Sequence, residues 1–442
     1  MKVSEKRAAF LKPDARALTR TVTLALLALP AYANAQALPD TLTVPSVTSV
    51  TDLFTQGRFT GDFRTLYYGA HNAFYNQGVN QNTLSYGGGI GYTTAALYGF
   101  SVGVSAYIQR GIAHPDDPAH VDGALGPNVT SLGEAYLRWQ GDGFTLTAGN
   151  QSIDVPFASS YDWRIAPDLF QGFSGTYGTA DNYVTAFRMF RWKSWIGNSF
   201  SKQTAYNESF DSFSTIGNQT TNGFYGAGAS GKLPLDPVVT KGQAWYMVYK
   251  DYARMTYLEG SASLKDGEIK PFVGAQVFFE TGDGRDLLGP VNSHVYGLQL
   301  GAKRNSLTVE LGYDYIKPNG NSFLNGALVT PYAHDQASGP LFAQPFITST
   351  QDLGAGNAYS FDVFGDPIHN LTVGGRYSFM DLKSTAGGVS LNQSEYLAYV
   401  TYSFTGKLKG LSISDFVALQ SSPAEKNKFV QNRLELEYDF GT

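Results

Sequence analysis

Over most of its length this sequence alternates, residue by residue, between apolar or aromatic side chains and small or polar ones. Phe144, Leu146 and Ala148 alternate with Thr145, Thr147 and Gly149; Leu307, Val309, Leu311, Tyr313 and Tyr315 with Thr308, Glu310, Gly312 and Asp314. Leu371, Val373, Gly375, Tyr377 and Phe379 oppose Thr372, Gly374, Arg376 and Ser378, and Leu434, Leu436, Tyr438 and Phe440 oppose Arg433, Glu435, Glu437 and Asp439. A period of two belongs to extended strands, whose successive side chains point to opposite faces. Two all-β architectures fit it: a sandwich with an apolar core, or a membrane barrel with its apolar face in lipid and its polar face on a lumen. Aromatics at the ends of the apolar faces, connections alternating between short and long, and a last strand carrying Phe440 select the barrel.

Composition agrees. Charged residues make up 16% of the chain, against about 25% in an ordinary soluble domain. Glycine (49), Tyr (28) and Phe (29) are abundant, and no uncharged apolar run reaches the length of a spanning helix. With no Cys, disulfide scaffolds, thiolate metal sites and cysteine nucleophiles are excluded. The net charge of −5 is unclustered and offers no footprint for nucleic acid. Six basic residues among the first twenty, the apolar run Val22–Leu29 and then Ala33-Asn34-Ala35 make residues 1–35 a secretory signal peptide. Cleavage after Ala37 fits as well. Cleavage after Ala35 removes six basic and two acidic residues, taking the net charge to −9.

Residues 36–442 then form one outer-membrane barrel channel. Strands are expected near 56–67, 83–93, 100–109, 132–139, 144–151, 170–177, 183–191, 223–231, 243–250, 253–263, 270–280, 294–303, 307–316, 357–365, 370–381, 394–404, 411–420 and 430–440. Eighteen is even, as a single-chain barrel requires, with sixteen as the competitor because 192–242 is hard to divide. Short periplasmic turns and long extracellular loops join them; 192–242 and 317–356 read as loops. A barrel of this size leaves room for an aqueous channel.

The fifth strand and the loop after it carry Gly149-Asn150-Gln151, Asp154-Val155-Pro156-Phe157-Ala158, Asp162-Trp163-Arg164 and Pro167 before Phe170. This block resembles the OprD-type outer-membrane porin family, whose corresponding loop has a Gly-x-Gln, an Asp-x-Pro-Phe-Ala, an Asp-x-Arg and a proline. Leu132–Leu137 and Gly282-Asp283-Gly284 match more weakly. Asn150 departs from the family's basic residue, and Gly441-Thr442 follow the terminal aromatic. The resemblance implies an eighteen-strand, substrate-preferring channel of a Gram-negative outer membrane. Its third extracellular loop, at about 152–170, folds inward. Family members pass carboxylate-bearing solutes such as amino acids and organic or aromatic acids along a ladder of Arg and Lys.

Parity assigns the lumen face. Arg58, Thr60, Asp62 and Arg64 lie opposite Phe59 and Phe63, and Glu134, Tyr136 and Arg138 lie opposite Ala135 and Leu137. Arg376 and Arg433 face inward by the same rule. The basic ladder is therefore Arg58, Arg64, Arg138, Arg376 and Arg433, with Asp62 and Glu134 as lumen acids. Each arginine could instead be paired with a neighbouring acid. Arg188 and Arg191 have opposite parity, so at most one belongs inside. In the inward loop Asp154, Asp162 and Arg164 are the constriction candidates: they either set a transverse field or cap turns and tie the loop to the barrel. Pro156 and Pro167 fix φ and stiffen it.

Nothing implies an enzyme, cofactor or metal. Gly172-Phe173-Ser174-Gly175 lacks the spacing of a nucleophile elbow. The cluster His114, Asp116, Asp117, His120 and Asp122 reads as a solvated loop. A barrel lipase or protease and a surface adhesin are the alternatives. Partners are small-molecule solutes and outer-membrane lipid, and a monomer or weak trimer is expected.

Overall fold

The computed structural model describes residues 44–160, 164–207, 216–333, 339–348, 350 and 353–441. The expected signal peptide and Asp162 lie outside them. A six-residue helix, α1 (Val50–Thr55), is capped by Ser49, whose Oγ accepts from the Asp52 amide at 3.0 Å. The wall follows: β1 (Arg58–His71), β2 (Gln81–Thr93), β3 (Phe100–Ala113), β4 (Val129–Gly141), β5 (Phe144–Gln151) and β6 (Leu169–Gly178). Next come β7 (Tyr183–Lys193), β8 (Phe224–Leu235), β9 (Val238–Tyr249), β10 (Ala253–Leu264), β11 (Lys270–Gly282) and β12 (Asn292–Arg304). Last are β13 (Leu307–Ile316), β14 (Ala355–Ile368), β15 (Leu371–Lys383), β16 (Gln393–Ser403), β17 (Leu411–Ser421) and β18 (Phe429–Phe440).

Each strand pairs antiparallel with the next, and β1 pairs with β18 from Gly61↔Phe440 to His71↔Val430, so the sheet closes on itself. The eighteen-strand expectation holds and the sixteen-strand competitor does not. One end carries tight turns. In the β4–β5 turn Asp142 (φ 51°) and Gly143 (φ 80°) take the left-handed backbone that a two-residue hairpin demands. The other end carries the long connections, Lys250–Tyr252 excepted.

Outward residues are apolar, and rings pair along the short-turn edge: Phe59–Tyr92 at 4.7 Å, Phe144–Tyr177 at 4.5 Å and Tyr402–Phe404 at 5.0 Å. This is the aromatic girdle of a lipid-embedded wall.

Two long loops differ from expectation. The stretch 192–242 is not one loop: it contains β8 and the start of β9, so the connection is 194–223. The described residues of 317–354 do not extend outward. Leu328, Val329, Ala343 and Phe346 are buried inside the barrel. Leu328, Val329 and Ala343 pack with inward residues of β9–β11 such as Met247, Tyr257 and Phe278, and Phe346 with Tyr399 and Phe416, making apolar cores where a polar lumen was expected.

Candidate functional site

The lumen is narrowed by loops that fold into it. The first, 152–168, opens with a miniature hairpin in which Asp154 pairs with Ser159 and Val155 with Ala158. Pro156 and Phe157 are its turn. Phe157 sits at φ 56°, a region that disfavours bulky residues. Its fully buried ring holds it there, edge-on to Phe278 at 5.4 Å, while the Tyr249 hydroxyl donates to the Pro156 carbonyl at 3.2 Å. The Asp-x-Pro-Phe-Ala block is thus a turn with its own anchor. Further along, Ile165 packs against β2 where only a glycine fits, since a Cβ on Gly87 would lie 2.6 Å from the Ile165 side chain.

Arg164 acts as a tether. Its Nε lies 3.8 Å from Asp122 Oδ1, its guanidinium is 5.3 Å from the Trp195 ring, and its carbonyl accepts from Arg64 Nη1 at 3.2 Å. Asp122 also accepts from the Ala124 and Leu125 amides, so its carboxylate caps a turn of the 114–128 loop. No metal-like cluster occurs among the described residues. Glu134 accepts from the Ser152 amide and hydroxyl at the loop's root.

The second loop, 317–354, was not foreseen. Three wall carboxylates hold its backbone: Glu280 accepts from the Val329 amide at 2.7 Å, Asp314 from Ala343 at 2.6 Å, and Glu395 from Phe346 and Ile347. Gly312 gives the clearance, because a Cβ there would lie 2.5 Å from the Phe342 carbonyl. A β-bridge between Ala158 and Tyr332 joins the two loops, and the Ala205 amide donates to Pro331, bringing in 194–207. The signal was present in Ala244–Tyr249, apolar on both faces, which in a barrel wall means that something apolar occupies the lumen.

The inward arginines differ in their company. Arg64 meets three acids: Glu437 at 2.6 Å, Asp62 at 3.1 Å and Glu435 at 4.0 Å. Arg376 lies 3.4 Å from Asp362 and donates to the Phe342 carbonyl at 2.8 Å. The Arg433 guanidinium is 5.0 Å from the Phe346 ring and 5.9 Å from that of Tyr68. Arg138 differs: it lies 4.5 Å from the Tyr136 ring and donates to the Thr147 hydroxyl, with no carboxylate in reach among the described residues. Arg58 starts β1 at the short-turn mouth. Asp154 lies in the hairpin, paired with Ser159.

Neither Arg188 nor Arg191 is inside. A bulge at Phe190 pairs Met189 with Gly172 but Arg191 with Gln171, which flips the parity and leaves both arginines on the outer face. Parity counting missed four lysines. Lys232 and Lys241 are directly opposed across β8–β9, as are Lys270 and Lys303 across β11–β12, all on the lumen side at the short-turn mouth.

The model of the outer membrane porin, OprD family, matches residues 118–442. No curated protein matches the sequence. Solved structures of the same shape include Pseudomonas aeruginosa OpdK with vanillate, at 15% identity and TM-score 0.72, covering 88% of this chain and 99% of that one. A BenF-like porin from Pseudomonas fluorescens Pf-5 matches at 14% identity and TM-score 0.76, covering 88% and 100%. Pseudomonas aeruginosa OccK2 (OpdF) in complex with glucuronate matches at 15% identity and TM-score 0.71, covering 88% and 98%.

Proposed function

Since the chain belongs to the OprD family of outer-membrane porins, integral to a Gram-negative outer membrane, we propose that it passes small carboxylate-bearing solutes down their gradient. The observation that carries this reading is Arg138, a lumen guanidinium backed by an aromatic ring and left without an acid partner among the described residues. A planar fork in a narrow, low-dielectric passage attracts a carboxylate, and its single position keeps binding weak enough for release. Vanillate and glucuronate, each a carboxylate, accompany two structures of the same fold. The lysine pairs at the periplasmic mouth extend the ladder beyond Arg58, while Arg64 and Arg376, already neutralised, hold architecture. Arg164 and Asp154 shape the inward loop, which serves as a size filter.

Liposome swelling with aromatic acids, uronates and neutral sugars of matched size tests this. The acids should enter faster, and the Arg138→Ala variant should lose most of that preference. Equal rates for acids and sugars in the unaltered protein would refute it.

A further inference from the structure

The outer face of the wall carries a cationic site that permeation does not use. On β5, β6 and β7 the register sets Asn150, Gln171 and Arg191 side by side, and Gln171 Nε2 donates to Asn150 Oδ1 at 2.9 Å. They share this face with Phe173 and Phe190, whose exposed rings meet edge-on at 5.9 Å. Arg188 lies one pair away, its guanidinium 4.8 Å from Phe190 and 5.8 Å from Tyr225.

Arg188 donates to the carbonyls of Met189, Phe224 and Asn222. Those neutral acceptors satisfy donors without cancelling the charge. Arg191 is exposed and makes no hydrogen bond or ion pair among the described residues. Arg254 and Lys250 of this rim are neutralised by Asp283 at 2.9 and 3.1 Å, and Arg285 by Asp251 at 3.0 Å. The Lys250 amide donates to the Gly223 carbonyl, and Lys202 Nζ to Asn222 Oδ1. These contacts place the head of Arg188 at the level of the extracellular turn, the headgroup zone of the outer leaflet.

We propose that Arg188 and Arg191, flanked by Gln171 and Asn150, bind the phosphate of an outer-leaflet lipid. Guanidinium forks match phosphate oxygens in pairs, and Phe173, Phe190 and Tyr225 lie beside the acyl chains below it. Lipid-facing arginine is tolerated near the interface and costly at the midplane, which fits this position. A second copy bringing the same face against itself would oppose arginine to arginine.

Native mass spectrometry of the full-length protein in detergent tests the site, with bisphosphorylated lipid A, its dephosphorylated form and inorganic phosphate as probes. The phosphorylated lipid should be retained and the dephosphorylated one released. Arg191→Ala should weaken retention about fivefold and Arg188→Ala/Arg191→Ala further, while Arg191→Lys keeps most of it. Arg191 anchors nothing, so its single variants carry the test if the double variant fails to fold by heat-modifiable migration. Equal retention of the dephosphorylated lipid, unchanged binding by Arg191→Ala, or displacement of the lipid by equimolar inorganic phosphate would each overturn the proposal.

Discussion

Arg64 and Arg138 point into the same lumen, and their surroundings give them opposite work. Arg64 stands among Asp62, Glu435 and Glu437, so removing it leaves three acids facing one another in a confined space. Arg138 touches a hydroxyl and a ring, so its removal strands no charge. Arg64→Ala should therefore lower stability by about 3 kcal/mol, as when one partner of a buried ion pair is lost, and shift the channel toward cations. Arg138→Ala should cost about 1 kcal/mol, the worth of its cation–π contact, and remove anion preference. Urea midpoints and reversal potentials separate the two; matching losses of stability in both variants would contradict the assignment. Parity disclosed which arginines face inward, because a strand leaves a side chain only two directions. It could not place Arg188 and Arg191 between the two faces, because one bulged residue reverses the count between them. It is also silent on pairing across strands, since Asp62, Glu435 and Glu437 reach Arg64 from β1 and β18, the two ends of the chain.

At the scale of elements, the wall was legible and the loop 317–354 was not. Each wall segment repeats one local rule, so its strands could be placed without knowing their neighbours. The loop has no period, and what draws it inward lies elsewhere: carboxylates on β11, β13 and β16, a glycine on β13 and apolar rings on β9–β11. The 152–168 loop was foreseen only because its residue block resembles a known one. Glu395 is the most informative anchor, as one carboxylate holds two consecutive amides, Phe346 and Ile347. Glu395→Ala should release that part of the loop at a cost of about 3–6 kcal/mol, the sum for two charged hydrogen bonds of the usual strength. The barrel ladder does not depend on it, so heat-modifiable migration should persist. Single-channel recordings should show higher mean conductance with more flicker. An unchanged conductance would mean that this segment does not narrow the passage.

Over the whole molecule, the total charge is a poor guide to the field a solute meets. The sequence carries a net −5, yet the periplasmic mouth presents lysine to lysine twice, Lys232 to Lys241 and Lys270 to Lys303. Like charges directly opposite on adjacent strands repel, so this arrangement works against stability. What it gains is a concentrated positive potential along one wall, tempered by the inward acids Glu259 and Glu310 and by Asp181, which lies 3.4 Å from Lys232. Facing that wall across a lumen half filled by folded loops, an entering anion meets fixed positive charge in a passage of low-dielectric walls, where field lines are focused. Replacing all four lysines by glutamate should leave the strand ladder intact and turn anion preference into cation preference, read as a change in sign of the reversal potential across a salt gradient near 0.1 M. Raising both solutions toward 1 M shortens the screening length from about 10 Å to about 3 Å, so the difference between the variant and the unaltered channel should nearly vanish there. A reversal potential that stays the same at low salt would reduce these lysines to solvated rim charges and leave Arg138 to set the selectivity alone.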